Sequence, residues 1–498
     1  MRRKLSLNSL MLFLMSFLFI VSGNFSNIKA GSNKPDRTIL IQLKINEKEF
    51  ETLKEMKIEF ASKFIEDGSF AIVSQAELSF LNERNFKFKK IKQSENKLDL
   101  YKRALYGKTL KLDPIYHTNS EIIQELKQHT KKYPHIIMMK KIGNTSEKKE
   151  DIWAVKISGN VQDEEDEPAI LFSGGIHSCE LGGVEICMKL IDYLLSNYKK
   201  NSKVTDCVNT NEIWIIPVIN VDGHDVVTEN IDPRWRKNVR DNNGNGILYE
   251  YDEDGVDLNR NFDFNWAFGG SGESTNERYR GELPFSENES IAVRDLALEQ
   301  KFLLSVTYHS QGEVIFYPWI WRGRKAPDDK LLTKLANGLA GSIKTMKGDT
   351  TYKALYGAGT VGQTYPWFYG VLGTFDFIVE TGLSRHIFPL HELKNIVESN
   401  LEGTFYMLDQ MKGPGLTGKI TDAENGEALV AEVWFPDIET EDVEPRTSNL
   451  EYGRFFRLLE PGSYRVIFRK NNYQPQVFKN VEISDHGWKN LDIQLRTK

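Results

Sequence analysis

Residues 169–180 read AILFSGGIHSCE, a short apolar run followed by two glycines and then by His177 and Glu180. An uninterrupted apolar run of this length is typical of a strand buried on both faces in an α/β sheet. Similar runs, separated by amphipathic helical patterns such as residues 184–196, occur at residues 213–220, 303–307 and 375–379. Between about residues 113 and 413 the sequence therefore predicts an α/β fold, with helices on both faces of a mixed central sheet.

Metal-ligating side chains follow two of these predicted strands. His177 and Glu180 come after the first, and His309 comes after the third. Ligand sites in α/β sheets form beyond the carboxyl ends of the strands. Two imidazoles and one carboxylate leave a fourth zinc position for a water molecule, whose pKa falls from about 15.7 toward about 7. Since an isolated H-x-x-E pair or a single histidine after a strand often arises by chance, the prediction depends on all three residues together.

Cys179 lies between two of the predicted ligands and is a softer zinc ligand than a carboxylate. Adjacent side chains in a turn rarely converge on one ion. We therefore predict that Cys179 is a buried thiol.

Four charged residues suit catalysis around such a metal. Glu380 ends the fourth apolar run, where it is a candidate general base, the alternative being a glutamate that faces solvent. Arg260 can hold a terminal carboxylate through paired hydrogen bonds, and Arg236 can polarise a scissile carbonyl, although surface ion pairing is the usual role of an arginine. Asp257 can orient His177, because zinc-bound histidines normally donate their other N–H to an acceptor.

These residues together resemble the zinc carboxypeptidase family typified by pancreatic carboxypeptidase A. The resemblance covers about residues 113 to 412 and depends on the pattern of six segments: His177-x-x-Glu180, Trp235-Arg236-Lys237, Asp257-x-Asn259-Arg260-Asn261, Tyr308-His309-Ser310, Tyr356-Gly357-Ala358-Gly359 and the strand that ends at Glu380. It implies a zinc ion held by His177, Glu180 and His309. It also implies that Glu380 activates water and that Arg236 stabilises the oxyanion. Asn259, Arg260 and a mobile Tyr356 would hold the C-terminal carboxylate of a peptide or protein substrate.

The chain departs from this family pattern at positions that concern specificity. Gln311 stands where the family usually has tyrosine, and Pro366-Trp367 stands where it has Asp-Trp. The absence of an acid between residues 362 and 367 favours an apolar or aromatic terminal residue. Asp376, however, shares a strand face with Glu380 by period-two alternation, and it would favour basic residues if it pointed into the pocket.

Two flanking segments have their own patterns. Residues 31–112 contain a predicted β-α-β-β-α-β domain that resembles the family's activation domains. The Lys- and Arg-rich stretch from Lys87 to Lys111 is predicted to be a cleavable linker, the alternative being a solvated strand and turn. Residues 414–498 predict an antiparallel β-sandwich that resembles the transthyretin-like domain of regulatory carboxypeptidases, with a role in folding or in cell-surface attachment.

The N-terminus predicts export. Basic residues 2–4, the apolar run 10–21 and Ala30 form the pattern of a signal peptide, residues 1–30, the alternative being an uncleaved membrane anchor. The formal net charge is −6, and removal of this segment makes it more negative. Such a charge disfavours nucleic acid and anionic membranes as partners. We therefore expect a secreted or periplasmic protein with no stable membrane span after removal of the signal.

Two further features leave alternatives open. The chain has three cysteines, and Cys187 and Cys207 are candidates for a disulfide in an exported protein. In the loop from residue 241, oxygen-bearing side chains have the spacing of a calcium loop, although a plain Asn/Gly turn explains the composition equally well. The candidate calcium ligands are Asp241, Asn243, Asn245 and Asp252.

The sequence as a whole predicts an exported zinc metallocarboxypeptidase. One alternative is a peptidase for peptidoglycan or γ-glutamyl linkages on the same scaffold. Another is a non-catalytic surface-binding protein, which is disfavoured because a binding module has no need for Glu380 beside an open metal position.

Overall fold

The computed structural model describes residues 39–56, 58–60, 69–90, 116–163, 165–246, 248–250, 253–357, 361–383 and 386–498. The chain divides into two compact units, residues 1–110 and 111–498. The predicted signal peptide and residues 91–111 of the predicted linker lie outside the described residues.

The N-terminal unit has the predicted order of elements. Its strands are β1 (Ile39–Leu43), β2 (Glu59–Phe60), β3 (Ser69–Val73) and β4 (Phe88–Lys90), and its helices are α1 (Glu47–Glu55) and α2 (Gln75–Glu83). The sheet has the order β2-β3-β1-β4 with antiparallel pairing. Both helices begin with a capping box, including the predicted pair of Ser74 and Glu77. Residues 61–68, which include the end of the predicted second strand, are outside the described residues.

The larger unit contains an eight-stranded mixed sheet. Its strands are β5 (Ile137–Asn144), β6 (Asp151–Ile157), β7 (Ala169–Ser173), β8 (Glu212–Ile216), β9 (Leu304–His309), β10 (Val314–Tyr317), β13 (Lys353–Tyr356) and β14 (Phe375–Glu380). Across the sheet they have the order β13-β10-β14-β9-β7-β8-β6-β5. A small hairpin lies between β10 and β13 and consists of β11 (Ile320–Trp321) and β12 (Arg324–Lys325). The helices are α3 (Asn119–Lys132), α4 (Gly182–Asn197), α5 (Ser202–Asn209), α6 (Val221–Thr228), α7 (Asn288–Gln300), α8 (Asp329–Ser342), α9 (Thr364–Trp367) and α10 (Leu390–Gln410).

Helices cover both faces of this sheet, as predicted. On one face, apolar residues of β9 and β14 pack in a core with α4, α8 and α10. On the other face, β7 and β8 pack against α7 in a second core. The alternate residues of β9 on this second face are Ser305, Thr307 and His309, a polar row that ends at the carboxyl end of the strand.

The strand predicted over residues 213–220 is too long, because β8 ends at Ile216. Pro217 has no N–H with which to continue the ladder. The chain turns there, and the N–H groups of Ile219 and Asn220 donate to the carbonyls of Gly174 and Gly175 at 3.2 and 2.9 Å. This turn therefore packs against the residues that follow β7.

The C-terminal segment forms two facing sheets around an apolar core that includes Leu416, Val433 and Phe468. Its strands are β15 (Gly415–Asp422), β16 (Glu432–Trp434), β17 (Arg446–Thr447), β18 (Arg454–Leu458), β19 (Gly462–Arg469), β20 (Gln476–Ile483), β21 (Trp488–Asn490) and β22 (Ile493–Leu495). Pairing is antiparallel except where β15 meets β21 and β22. Among the described residues of the chain, no helix combines the length and the apolar character needed to cross a bilayer.

Candidate metal centre

Three predicted ligands meet at one edge of the central sheet. The Nδ1 atom of His177 lies 3.0 Å from a carboxylate oxygen of Glu180 and 3.1 Å from Nδ1 of His309. The Nδ1 atom of His309 lies 2.9 Å from the other oxygen of Glu180. Tetrahedral zinc with bonds of about 2.0–2.1 Å keeps its ligand atoms about 3.3 Å apart. These three buried side chains therefore have the spacing and the donor chemistry that zinc requires.

Close packing at glycine brings the two ligand segments together. A Cβ at Gly183, near the start of α4, would lie 2.8 Å from the carbonyl oxygen of Tyr308, the residue before His309. Only glycine allows α4 to approach β9 this closely. The turn that carries His177 and Glu180 leads directly into this helix, so the approach places both side chains beside His309.

Asp257 and Arg236 surround the ligands. Asp257 accepts from Nε2 of His177 at 3.2 Å, so its carboxylate fixes the orientation of the ring and leaves Nδ1 directed at the metal position. The other oxygen of Asp257 accepts from Arg236 at 3.2 and 3.3 Å, and a third guanidinium nitrogen lies 3.2 Å from Glu180. The Arg236 side chain is 19% exposed, so part of it remains open to a ligand.

These contacts keep the buried groups charged. Burial by itself would raise the pKa of Glu180, but His177 and His309 hold it well below its usual range. Burial opposes ionisation of Asp257 as well, yet Arg236, Arg260 and His177 hold the pKa of this carboxyl well below its usual value. The site therefore presents ionised carboxylates to a cation.

Glu380 stands next to the third ligand. It ends β14, where it pairs in parallel register with His309 at the end of β9. Burial raises the pKa of Glu380 to about 7, and Glu180 contributes to the rise, whereas His309 and Arg236 oppose it. The predicted general base is thus a partly buried carboxyl beside the metal position.

Asn259 and Arg260 lie in the short 3-10 turn Leu258–Arg260. The amide nitrogen of Asn259 lies 3.4 Å from Nε2 of His309, and its amide oxygen accepts from the N–H of Thr364 at 3.0 Å. Arg260 is buried, with a guanidinium nitrogen 2.5 Å from the carbonyl oxygen of Asn259. The structure therefore gives Asn259 a contact with the candidate ligand His309 that the sequence did not predict.

Tyr356 forms its hydrogen bonds with a different group of residues. Its hydroxyl lies 2.6 Å from Asp329, 2.8 Å from Lys325 and 3.3 Å from Thr333, and its ring packs against Tyr317. For Tyr356 to hold a substrate carboxylate, these hydrogen bonds must break.

Two residues at the site were missed from the sequence. The N–H of Ser310 donates to Glu180 at 3.1 Å, and the hydroxyl of Ser310 lies 3.3 Å from Nδ1 of His386. The position of Ser310 directly after His309 was an available signal. Nothing in the local pattern around His386 indicates its position.

The cysteine predictions have different outcomes. Cys179 is a buried thiol, as predicted, and burial raises its pKa above the usual range. The candidate disulfide between Cys187 and Cys207 is wrong for this structure, because both thiols are free and buried.

The candidate calcium loop has the hydrogen bonds of a closed turn. Asp241 accepts from the N–H groups of Gly244 and Gly246 at 2.7 and 2.8 Å, and Asn243 and Asn245 donate to Glu250. Asp252 lies outside the described residues. Within the described part of the chain, His177, Glu180 and His309 are the one group of at least three His, Cys, Asp or Glu side chains close enough to share a metal. The observed bonds agree with the plain-turn alternative.

Comparison with known proteins identifies relatives of the larger unit. Residues 122–403 match the family described as zinc carboxypeptidase. Carboxypeptidase D of Anas platyrhynchos is 25% identical over 413 residues, which cover 79% of this chain and 27% of that protein. Carboxypeptidase O of Bos taurus is 27% identical over 307 residues, or 59% of this chain and 79% of that protein. The chain thus spans about a quarter of the carboxypeptidase D proteins.

Solved structures share the fold. The crystal structure of thrombin activatable fibrinolysis inhibitor aligns with a TM-score of 0.55 and 22% identity, covering 75% of this chain and 98% of that one. Carboxypeptidase A from Helicoverpa armigera aligns with a TM-score of 0.52 and 20% identity, covering 75% and 97%. Since the family match covers more than half of the chain, this protein belongs to the zinc carboxypeptidase family.

Proposed function

We propose that this protein is an exported metallocarboxypeptidase that hydrolyses the C-terminal peptide bond of peptides or proteins. One observation carries the proposal: the donor atoms of His177, Glu180 and His309 lie within 4.8 Å of one another. Glu380 ends the strand adjacent to His309. A binding protein has no use for this combination, whereas a hydrolase needs a metal and a base together.

A zinc ion held by these three ligands would supply a Lewis acid and a water molecule of lowered pKa. Glu380 would accept the proton of the attacking water and then deliver it to the leaving amine. Burial raises the pKa of Glu380 above its usual value, and a bound zinc ion would oppose that rise and favour the ionised form that accepts a proton. Arg236, fixed by Asp257, would donate to the oxyanion that develops on the scissile carbonyl.

The substrate carboxylate would bind at Arg260 and Asn259. The buried guanidinium of Arg260 offers planar donors that match a carboxylate. Tyr356 would join them after release from Asp329 and Lys325. If the enzyme requires a free C-terminal carboxylate at this position, it removes residues only from the C-terminus, so it would be an exopeptidase.

Mass spectrometry of a defined peptide pool tests the proposal. The zinc-supplied chain is incubated with peptides that have free or amidated C-termini, together with γ-glutamyl and cell-wall peptides. We expect ladders that shorten one residue at a time from free C-termini only. Internal cleavage, cleavage of amidated peptides or cleavage of γ-glutamyl linkages alone would contradict the proposal.

The N-terminal unit would act as an activation domain on the exported protein, and residues 1–30 as its signal peptide. The supporting observation is the βαββαβ unit, whose last strand, β4, lies at the start of the Lys- and Arg-rich stretch. Limited trypsin digestion should raise carboxypeptidase activity while the larger unit stays intact. Equal activity before and after digestion would contradict an activating role, and retention of residues 1–30 on the mature protein would contradict signal removal.

A further inference from the structure

The first residues that the structure describes in the larger unit are connected to the metal centre through the loop after β14. Tyr116 and His117 follow directly after the undescribed residues 91–115. Tyr116 is buried, and its hydroxyl donates to the carbonyl of Phe388 at 2.8 Å and accepts from the N–H of Phe388 at 2.6 Å. Because both hydrogen bonds end on the backbone of one residue, this hydroxyl fixes the position of Phe388.

Phe388 packs between the segments that carry two acids of the site. A Cβ at Gly182, two residues after the candidate ligand Glu180, would lie 3.3 Å from the Phe388 ring. A Cβ at Gly382, two residues after the candidate base Glu380, would overlap the same ring. Phe388 is buried, and close-packed interiors transmit small displacements. A shift of Phe388 would therefore move both segments.

The loop that contains Phe388 makes a second contact at the metal centre. Nδ1 of His386, two residues before Phe388, lies 3.3 Å from the hydroxyl of Ser310. The N–H of Ser310 donates to Glu180 at 3.1 Å. The loop is thus held by Tyr116 at Phe388 and contacts a hydrogen-bond partner of Glu180 at His386.

His117 connects the same end of the chain to α4, the helix that begins at Gly182. The N–H and ring Nδ1 of His117 lie 2.9 and 2.7 Å from the two carboxylate oxygens of Glu185 on α4. Hydrogen bonding to Glu125 of α3 and to Glu185 raises the pKa of His117 to about 10. The ring is therefore charged at neutral pH and holds α3 and α4 together through charged hydrogen bonds.

We infer that Tyr116 and His117 form an N-terminal clip that positions Glu180 and Glu380 for hydrolysis. Tyr116 acts through Phe388 and His117 acts through α4, so both are positioning residues. The inference rests on the proposed function and adds to it two residues that lie far from the metal centre in sequence.

The clip limits where an active chain can be cut. The Lys- and Arg-rich stretch ends at Lys111, and the next Lys or Arg is Lys127 in α3. Cleavage within the stretch leaves the clip on the larger unit, whereas cleavage after His117 removes it. Intact-mass analysis of limited trypsin digests should therefore show that every active product begins at or before Tyr116. An active product that begins after His117 would overturn the inference.

Tyr116→Phe tests the positioning role, because it removes the hydroxyl and keeps the ring. Phe388 then loses both hydrogen bonds to this side chain, so the two acids should shift. Since misplacement by about 1 Å can cost about 100-fold in rate, we expect kcat to fall by roughly 10- to 100-fold. KM should change little, because Asn259 and Arg260, proposed to hold the substrate carboxylate, lie in a separate turn.

A spectroscopic measurement separates positioning from a general loss of stability. In protein loaded with cobalt(II), the visible absorption bands depend on the coordination geometry. Folded Tyr116→Phe should show altered bands. Tyr464→Phe is the matched control, because the hydroxyl of Tyr464 donates to the carbonyl of Glu460 at 2.7 Å within the C-terminal sandwich. This control should keep the wild-type kcat and cobalt spectrum, whatever its melting temperature.

If Tyr116→Phe does not fold, His117→Gln takes its place in the same two measurements. It removes the ring contact with Glu185 and keeps the backbone N–H that donates to the same carboxylate. An unchanged kcat or an unchanged cobalt spectrum in the folded variant would overturn the inference and leave the proposed function intact. A wild-type protein that shortens no peptide of the defined pool would instead overturn the proposed function.

Discussion

Two buried clusters of charged and polar side chains differ in whether they contain the cations that balance their carboxylates. At the metal centre, two imidazole nitrogens and a carboxylate face one another at 2.9–3.1 Å. At the boundary between the α/β domain and the C-terminal sandwich, Asp328 accepts from Arg457 at 2.6 Å and from Arg446 at 3.2 Å. Arg446 also contacts Glu439 at 2.5 Å.

The second cluster is neutralised by its own side chains. Burial would raise the pKa of Asp328, but Arg457 and Arg446 hold it below its usual value. In the first cluster the facing atoms are all potential acceptors, with Arg236 and Asp257 outside them. An excess of converging acceptors indicates a site for an external cation, whereas balanced pairs indicate a structural contact.

Replacing one glutamate by glutamine in each cluster should distinguish a metal ligand from a partner in a structural ion pair, and it should give the largest effects. Glu180→Gln should release zinc and lower kcat/KM by more than the roughly 10²–10⁴-fold that a general base supplies. Glu439→Gln should lower the melting temperature and keep a full complement of zinc. Metal analysis after gel filtration, with activity and thermal unfolding, measures both variants. Full zinc content in Glu180→Gln would contradict its role as a ligand.

Glu380→Gln should affect chemistry without affecting metal content. The amide cannot accept a proton from water, so kcat should fall by roughly 10²–10⁴-fold. Zinc content measured on the same sample should equal that of the wild type. If kcat changed by less than tenfold, the base would have to be another group.

The pH profile sharpens the assignment of Glu380. The base must be ionised, and burial raises the pKa of Glu380 to about 7. Bound zinc would favour the ionised form and lower that value. We therefore expect the acid limb of kcat/KM below pH 7, with a loss of about tenfold per pH unit beyond the limb. The same limb in residual Glu380→Gln activity would assign it to another residue.

Breaking the structural cluster should cost stability and leave zinc binding intact. Arg457→Met leaves the buried Asp328 with one cation, so urea unfolding should show a loss of about 3–5 kcal/mol. Because the pKa of Asp328 is below 3.8 in the folded state, its contribution is present above pH 3.8 and is lost as pH falls through the folded-state value. The difference between variant and wild type should therefore shrink below pH 3.8.

Arg465→Met is the control for that experiment. Arg465 pairs with Asp437 at 3.3 Å, and both side chains are about half exposed. Loss of an exposed pair should leave the midpoint of unfolding unchanged within error. A large effect here would indicate that burial is not what distinguishes the Asp328 cluster.

The smallest effect is expected at the Asn- and Gly-rich loop. Asp241 is already satisfied by the N–H groups of Gly244 and Gly246. Adding calcium to zinc-loaded, calcium-depleted protein should therefore leave its melting temperature unchanged. A rise would restore the calcium-loop interpretation and imply that the loop rearranges around the ion.

Local patterns predicted the parts of the site that depend on position along a strand. His309 and Glu380 were identifiable because each ends an apolar run, and the ends of adjacent parallel strands meet at one edge. The strand over residues 213–220 was predicted too long, since its apolar pattern continues past Pro217. Local patterns did not predict the contact of Asn259 with His309 or the hydrogen bonds of Tyr356 with Asp329 and Lys325.

The sequence by itself determined the family and predicted the group of candidate metal ligands that the fold brings together, because residue types at fixed spacing carry that information. Only the tertiary structure decided which partners satisfy the buried acids: two arginines of the sandwich for Asp328, and His177 and Arg236 for Asp257. Those partners come from segments far apart in the chain, and their pairing depends on packing that no local pattern encodes. The difference between a structural ion pair and a candidate metal site is therefore visible only in the folded protein.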